Sequence, residues 1–226
     1  MDRIEIETID IESNIRSLMK AITRKNAASL IKNKDRKNFE KWIRELDAFQ
    51  NKITNIRKIV LPKIQDDLTY PFSNCDLVLI AMVQPSTKNT FIDIKKHFSS
   101  ETEWGISLKN LDYLENCSST AQSLAWIGDT TIKYCFLREY WKPGISTQQL
   151  HNMREALEKD ENLAKLCGHW SLFDHRIHLD PIVEKKDPLS KSEIEVRGTL
   201  TEALYGVIYI EKGIDEVQKA IHLINR

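Results

Sequence analysis

The 226-residue chain, 41% hydrophobic and 29% charged, has the length and balance of a globular protein with a core of its own. It lacks an apolar run that could span a bilayer, and its acidic start, MDRIEIETIDIES, resembles neither a signal peptide nor an organellar transit peptide. Net charge is zero, but residues 14–63 hold 14 Lys and Arg against four acids, an excess of ten positive charges that suits either a polyanionic partner or a solvated helix surface.

Helical spacing dominates from the first segment onward. Ile11, Ile15, Leu18, Met19 and Ile22 form one apolar stripe, and Phe39, Trp42, Ile43, Leu46, Phe49, Ile53 and Ile56 form a second. The polar stretch KNKDRKN (32–38) separates them, so a basic helical hairpin is expected, ending near Pro62. The run Leu77 to Val83 reads as a strand or a buried helix. Residues 90–119 look less regular. A long apolar helix then surrounds Asp129 and stops at Pro143-Gly144. Ser146 or Thr147 caps the next expected helix, QQLHNMREALEKDENLAKLC. A charged loop is expected over 180–198, followed by a helix over TLTEALYGVIYIEK and a short amphipathic one over IDEVQKAIHLI.

Two acids sit on the most apolar helices. Asp129 stands in SLAWIGDTTI and Glu202 in TLTEALYGVI, and each has a glycine within one turn, Gly128 and Gly206. A glycine inside a helix costs about 1 kcal/mol relative to alanine, a cost that close approach of a second backbone can offset. Two such helices packed tightly would bring the carboxylates together. Paired carboxylates in a poorly solvated setting repel unless a proton or a cation intervenes, and oxygen ligands favour Mg²⁺ or Mn²⁺. The competing reading pairs each acid with an Arg or a backbone group.

These residues resemble the ribonuclease III family. QSLAWIGD (122–129) is similar to its E-R-L-E-F-L-G-D helix, and GTLTEALYGVIY (198–209) to its A-D-x-F-E-A-L-I-G-A-I-Y helix. LHNMREALEKDENLAKL (150–166) and YPFSNCDLVLIAMVQPS (70–86) resemble two further blocks, in the right order, over roughly residues 68–224. The resemblance favours helix for 75–83. It departs at Ala125 and Thr199, where family members carry acids, and at Gln122, where glutamate is common. The compact Mini-III branch lacks the first two acids as well and reads A-L-A-Y-x-G-D and R-x-T-A-F-E-A-L, so SLAWIGD and RGTLTEAL are closer to it.

The resemblance implies an all-α chain: a ribonuclease III-type endonuclease domain over 64–226, preceded by the hairpin over 1–63. It implies metal-dependent cleavage of double-stranded or stem-containing RNA, plausibly a ribosomal RNA precursor. Asp129 and Glu202 would hold Mg²⁺ or Mn²⁺, with Thr199 and Gln122 supporting. A homodimer would meet at Trp126, for which core packing is the rival reading. RNA contacts are expected at Lys32, Lys34, Arg36 and Lys37 of the hairpin and at Lys185, Lys186, Lys191 and Arg197 of the charged loop. The alternative function is a ribonuclease III fold that binds RNA without cutting it; a helical interaction module without RNA explains the blocks poorly. The four cysteines, Cys75, Cys117, Cys135 and Cys167, show no CxxC pair and suit free thiols in a reducing cytoplasm. CGHWSLFDHRIHLD (167–180) fits no common zinc spacing, Cys135 lacks a nucleophile signature, and no phosphate-cradling glycine loop marks a nucleotide cofactor.

Overall fold

The computed structural model describes residues 6–28, 33–157, 159–179 and 191–225. Within them the chain is helical, without a strand longer than one isolated bridge.

The hairpin forms as its stripes require. Helix α1 (Ile11–Ala27) starts at Asp10, whose carboxylate accepts the Ser13 N–H at 2.8 Å. Helix α2 (Asn33–Asn55) continues through a π-helical turn (Ile56–Val60) into α3 (Leu61–Leu68). The helical run thus passes Pro62 instead of ending there. In the π turn the Leu61 N–H donates to the Ile56 carbonyl, five residues back, and the wider turn accommodates the proline ring and its missing donor.

The hairpin shares one hydrophobic core with the rest of the chain. Phe39 and Trp42 meet Trp104 with ring centroids 6.4 Å apart in each case, and Phe49 meets Phe91 at 6.1 Å. Lys25 lies 5.0 Å over the Trp104 ring and pairs with Glu103 at 2.7 Å. Lys52 donates to the Asp174 carbonyl and Lys63 to the Ser171 hydroxyl, both at 2.6 Å. Several of the hairpin's cations therefore serve docking.

The run 75–83 is mainly helix: α4 (Cys75–Ala81), capped by the Asn74 side chain. Glu211 fixes its start by accepting the Ser73 and Asn74 N–H groups at 2.9 and 2.7 Å. After α5 (Thr87–Lys95) and the single turn α6 (Glu101–Trp104) comes α7 (Leu108–Tyr140), 33 residues long. Residues 108–119 are thus helical, against the irregular expectation. Ser107 caps α7 by accepting the Asn110 N–H at 3.1 Å, and Leu111, Leu114 and Cys117 place a buried face on the new turns.

Ser146 caps α8 (Thr147–Leu157) in a reciprocal pair: Gln149 N–H donates to Ser146 Oγ at 3.2 Å, and Ser146 N–H to Gln149 Oε1 at 3.0 Å. The single helix expected beyond it is two, with α9 (Asp160–His169) taking the second half. After the short α10 (Leu172–His175), Ile177 bridges Val83. Helix α11 (Lys191–Lys212) starts earlier than the sequence suggests, so 191–198 are helix and not loop. Helix α12 (Ile214–Ala220) leads into a final 3₁₀ turn. The buried Tyr205 hydroxyl donates to the Ala220 carbonyl at 2.7 Å and ties α11 to α12. No described helix is long and apolar enough to cross a membrane.

Candidate active site

Helices α7 and α11 make the closest crossing in the fold, and both glycines lie in it. A Cβ on Gly128 would overlap the Glu202 carbonyl oxygen and stand 2.8 Å from the Gly206 nitrogen. A Cβ on Gly206 would overlap the Leu124 carbonyl oxygen. Each of these contacts is possible only because its glycine has no Cβ. The crossing puts Gly128, and so Asp129, beside Glu202 in space, although 73 residues separate the two acids in the chain.

Asp129 is about 30% exposed and pairs with Lys133 at 2.6 Å, one turn along the same helix. An exposed pair of this spacing is worth about 0.3–0.5 kcal/mol, so another cation displaces Lys133 at little cost. Glu202 is half-buried. Thr199, one turn before it, donates its hydroxyl to the Glu195 carbonyl at 3.0 Å and keeps its lone pairs as acceptors. Gln122 is exposed two turns before Asp129 on α7. Gln122 and Thr199 line a common cavity of about 320 Å³ beside the crossing.

The candidate ligands are all oxygen groups: the Asp129 and Glu202 carboxylates beside the crossing, and the Gln122 amide and Thr199 hydroxyl in a cavity that neither acid lines. Oxygen ligands of this kind suit a hard, hydrated divalent cation such as Mg²⁺ and do not suit a thiolate-seeking metal. Among the described residues no group of three or more His, Cys, Asp and Glu is disposed to hold a metal, so most of the coordination shell would be water. The described part of CGHWSLFDHRIHLD makes other contacts. There His169 and the Trp170 indole both contact Asp67 Oδ2 at 2.8 Å, and Cys167 is buried.

Trp126 is 76% exposed, which removes its core-packing reading. Tyr134 and Leu137 of α7 and its C-cap residue Trp141 are also exposed, about two, three and four turns beyond Trp126. Together they form an apolar stripe beside Asp129 of the kind that marks an interaction surface.

Residues 122–213 match the Ribonuclease III domain. The span runs from the middle of α7 to the end of α11 and encloses Asp129, Glu202 and the crossing between them. No curated protein matches the chain. The match spans less than half of the chain and makes it similar to that family over this span.

The expected RNA contacts divide by environment. Lys32, Lys185 and Lys186 lie outside the described residues, as do the side chains of Lys34 and Lys191. Arg36 and Lys37 are exposed on the first turns of α2 and make no ion pair among the described residues. Arg197 is only 18% exposed and is engaged within the fold: it donates to Glu193 at 2.8 and 3.0 Å and lies 4.3 Å over the Phe173 ring.

Sequence reasoning missed two features near the acids. Lys133 was readable from its four-residue spacing after Asp129, the ordinary helical pairing distance. Glu195 shares a helix face with Thr199 and Glu202 at spacings of four and seven, and the expectation of a loop over 180–198 hid it.

Proposed function

We propose that the chain is a metal-dependent endoribonuclease that hydrolyses phosphodiester bonds in duplex or stem-containing RNA, with Asp129 and Glu202 as its metal-holding acids. The observation that supports this reading is the Gly128–Gly206 crossing, which packs the backbone beside Asp129 against the backbone of Glu202 within the matched span. Asp129 and Glu202 would hold Mg²⁺ or Mn²⁺ once Lys133 is displaced. Bound there, the cation would offset charge on the phosphate oxygens and make water acidic enough to attack. Thr199 and Gln122 orient water and phosphate by hydrogen bonding at the rim of the crossing. The half-buried setting of both acids limits their hydration and strengthens their hold on a cation.

The reading extends to assembly and substrate. The exposed stripe at Trp126 suits a two-fold contact that sets two sites against the two strands of a duplex. The nuclease function resides in 64–226, and the hairpin of 1–63 adds RNA affinity through Arg36, Lys37 and the neighbouring Lys32 and Lys34. Lys185 and Lys186 are further candidates, while Arg197 contributes only where RNA displaces Glu193. A Mini-III-like enzyme acting in the cytoplasm on a ribosomal RNA precursor is the finer form of the proposal, and it rests on the resemblance of SLAWIGD and RGTLTEAL. The second reading, an RNA-binding protein that does not cut, is favoured by the Lys133 pairing of Asp129 and by Ala125 and Thr199 at positions where relatives carry acids.

The test is incubation of pure protein with long double-stranded RNA, in Mg²⁺, in Mn²⁺ and in chelator. Wild type should cut only with metal. Asp129→Asn and Glu202→Gln should each reduce the rate by about 100-fold or more, since each removes an anionic ligand and keeps its shape. The melting temperature of Asp129→Asn should stay near wild type, because the Asp129–Lys133 pair contributes so little. A variant that cuts at wild-type rate sinks the site. Binding without cutting under every metal selects the second reading.

A further inference from the structure

Beside the crossing, the α4–α5 corner, α7 and α11 enclose the cavity of about 320 Å³. That is at the small end of the roughly 300–1,000 Å³ usual for small-molecule sites. Its walls are apolar, with Val83, Pro85, Val196 and Leu200 among them. Six polar residues line it: Gln84, Ser118, Gln122, Ser192, Glu195 and Thr199. Thr199 bonds the Glu195 carbonyl and Ser192 is engaged within the fold, whereas the side chains of Gln84, Ser118, Gln122 and Glu195 make no hydrogen bond to another described residue. Ser118 is the telling one. The residue is 4% exposed, yet its Oγ is not among the fully enclosed side-chain atoms that lack a partner, so the hydroxyl opens onto the cavity and is available to a ligand.

The lining chemistry selects the ligand class. No Lys, Arg or His lines the cavity, and the Glu195 carboxylate repels phosphate, so it does not take the RNA backbone. One carboxylate among apolar walls is a thin ligand set for a metal. Apolar walls with amide, hydroxyl and carboxylate groups suit a flat heterocycle that carries N–H donors. A carboxylate only accepts, through two oxygens, and the guanine edge offers two adjacent donors, N1–H and N2–H. Unpaired bases in RNA are read in this way, splayed out and bonded along an edge.

We propose that this cavity is a base-specificity pocket that takes an unpaired guanine flanking the scissile phosphate, with Glu195 reading its donor edge and Ser118 and Gln84 completing the contact. The inference deepens the endonuclease reading and rests on it, since Gln122 and Thr199, which line the pocket, are the residues proposed above to support the acids. A duplex with a bulge or mismatch beside the cut presents such a base at a lower unstacking cost than a perfect duplex.

The experiment compares four RNAs with the same stem: fully paired, and with a single bulged guanine, adenine or abasic residue beside the cut. Binding is measured in Ca²⁺ and cleavage in Mg²⁺. Wild type should favour bulged guanine over adenine and abasic RNA by about tenfold or more, the size of one good bidentate contact. Glu195→Gln, at an exposed position, should erase that preference and leave the fully paired rate unchanged. Ser118→Ala should reduce the preference in part. Equal rates for the three bulged RNAs with wild type overturn the pocket, as does a preference that survives Glu195→Gln. Uniform slowing of all four RNAs by Glu195→Gln, repaired by added Mg²⁺, makes the cavity a cation site and also overturns it. Each of these requires that the fully paired RNA is bound and cut. If it is neither bound nor cut, the endonuclease reading falls first and the pocket with it.

Discussion

Gly128 lies against the backbone of Glu202 so closely that a methyl group would overlap the Glu202 carbonyl oxygen. Substituting alanine for glycine in a helix normally stabilises by about 1 kcal/mol. Here the neighbour is backbone and cannot swing away. Gly128→Ala should therefore destabilise by about 3 kcal/mol or more, with overpacking outweighing propensity. Gly206→Ala should behave alike, because its methyl would meet the Leu124 carbonyl. Denaturant unfolding measures both; a variant as stable as wild type would mean that the helices do not cross as described.

The close packing of α7 on α11 was legible in the sequence because the same local context occurs twice: an apolar helix with a glycine a turn or less from a carboxylate. The hairpin was legible because Ile11 to Ile22 and Phe39 to Ile56 keep one period. The early start of α7 was hidden, since Asn116-Cys117-Ser118-Ser119-Thr120 reads as loop until Ser107 is recognised as a cap. Passage of the helix through Pro62 depends on a π turn that no local pattern announces. The cavity was invisible for a different reason. Its polar groups come from three distant segments, and only tertiary packing collects Gln84, Ser118, Gln122 and Glu195.

Trp126 offers a test of assembly. An indole that is 76% exposed on an apolar stripe beside the site suits a second copy across a two-fold axis. Light scattering should give twice the chain mass at micromolar concentration. Trp126→Glu, which buries a charge in the contact, should shift the protein toward monomer and reduce cleavage of both strands together. A wild-type monomer removes the assembly and leaves paired cleavage without a mechanism.

His175 supplies a pH dependence. Burial, reinforced by the Lys52 ammonium and then Lys63, pushes its imidazole below the ordinary histidine value, and Asp174 opposes them. A group with a depressed folded pKa binds protons more readily when unfolded. Its contribution to stability is therefore present above the unfolded value of about 6.5 and is lost as pH falls through the folded one. The melting temperature should drop on acidification from pH 7 toward pH 5, and His175→Asn should flatten that drop. An identical pH profile in the variant would assign the acid sensitivity elsewhere.

The hairpin's cations divide into two groups that mutation can tell apart. Lys52 and Lys63 hold the hairpin on α10 and the residue before it, through the Asp174 carbonyl and the Ser171 hydroxyl. Arg36 and Lys37 stand exposed without an ion pair among the described residues, and Lys32 and Lys34 flank them in sequence. Charge reversal at Lys52 or Lys63 should lower the melting temperature, because each removes a docking bond and sets a carboxylate against an oxygen. Reversal at Lys32, Lys34, Arg36 and Lys37 should leave the melting temperature nearly unchanged. It should instead weaken RNA binding uniformly across sequences. Each phosphate contact releases counterions, so each one lost should flatten the salt dependence by roughly 0.9 in the log–log slope. Filter binding of duplex RNA across a salt series reads both affinity and slope. If the fourfold reversal leaves them as in wild type, those cations do not bind RNA, and the hairpin's described role reduces to the packing of Phe39, Trp42 and Phe49 against Trp104 and Phe91.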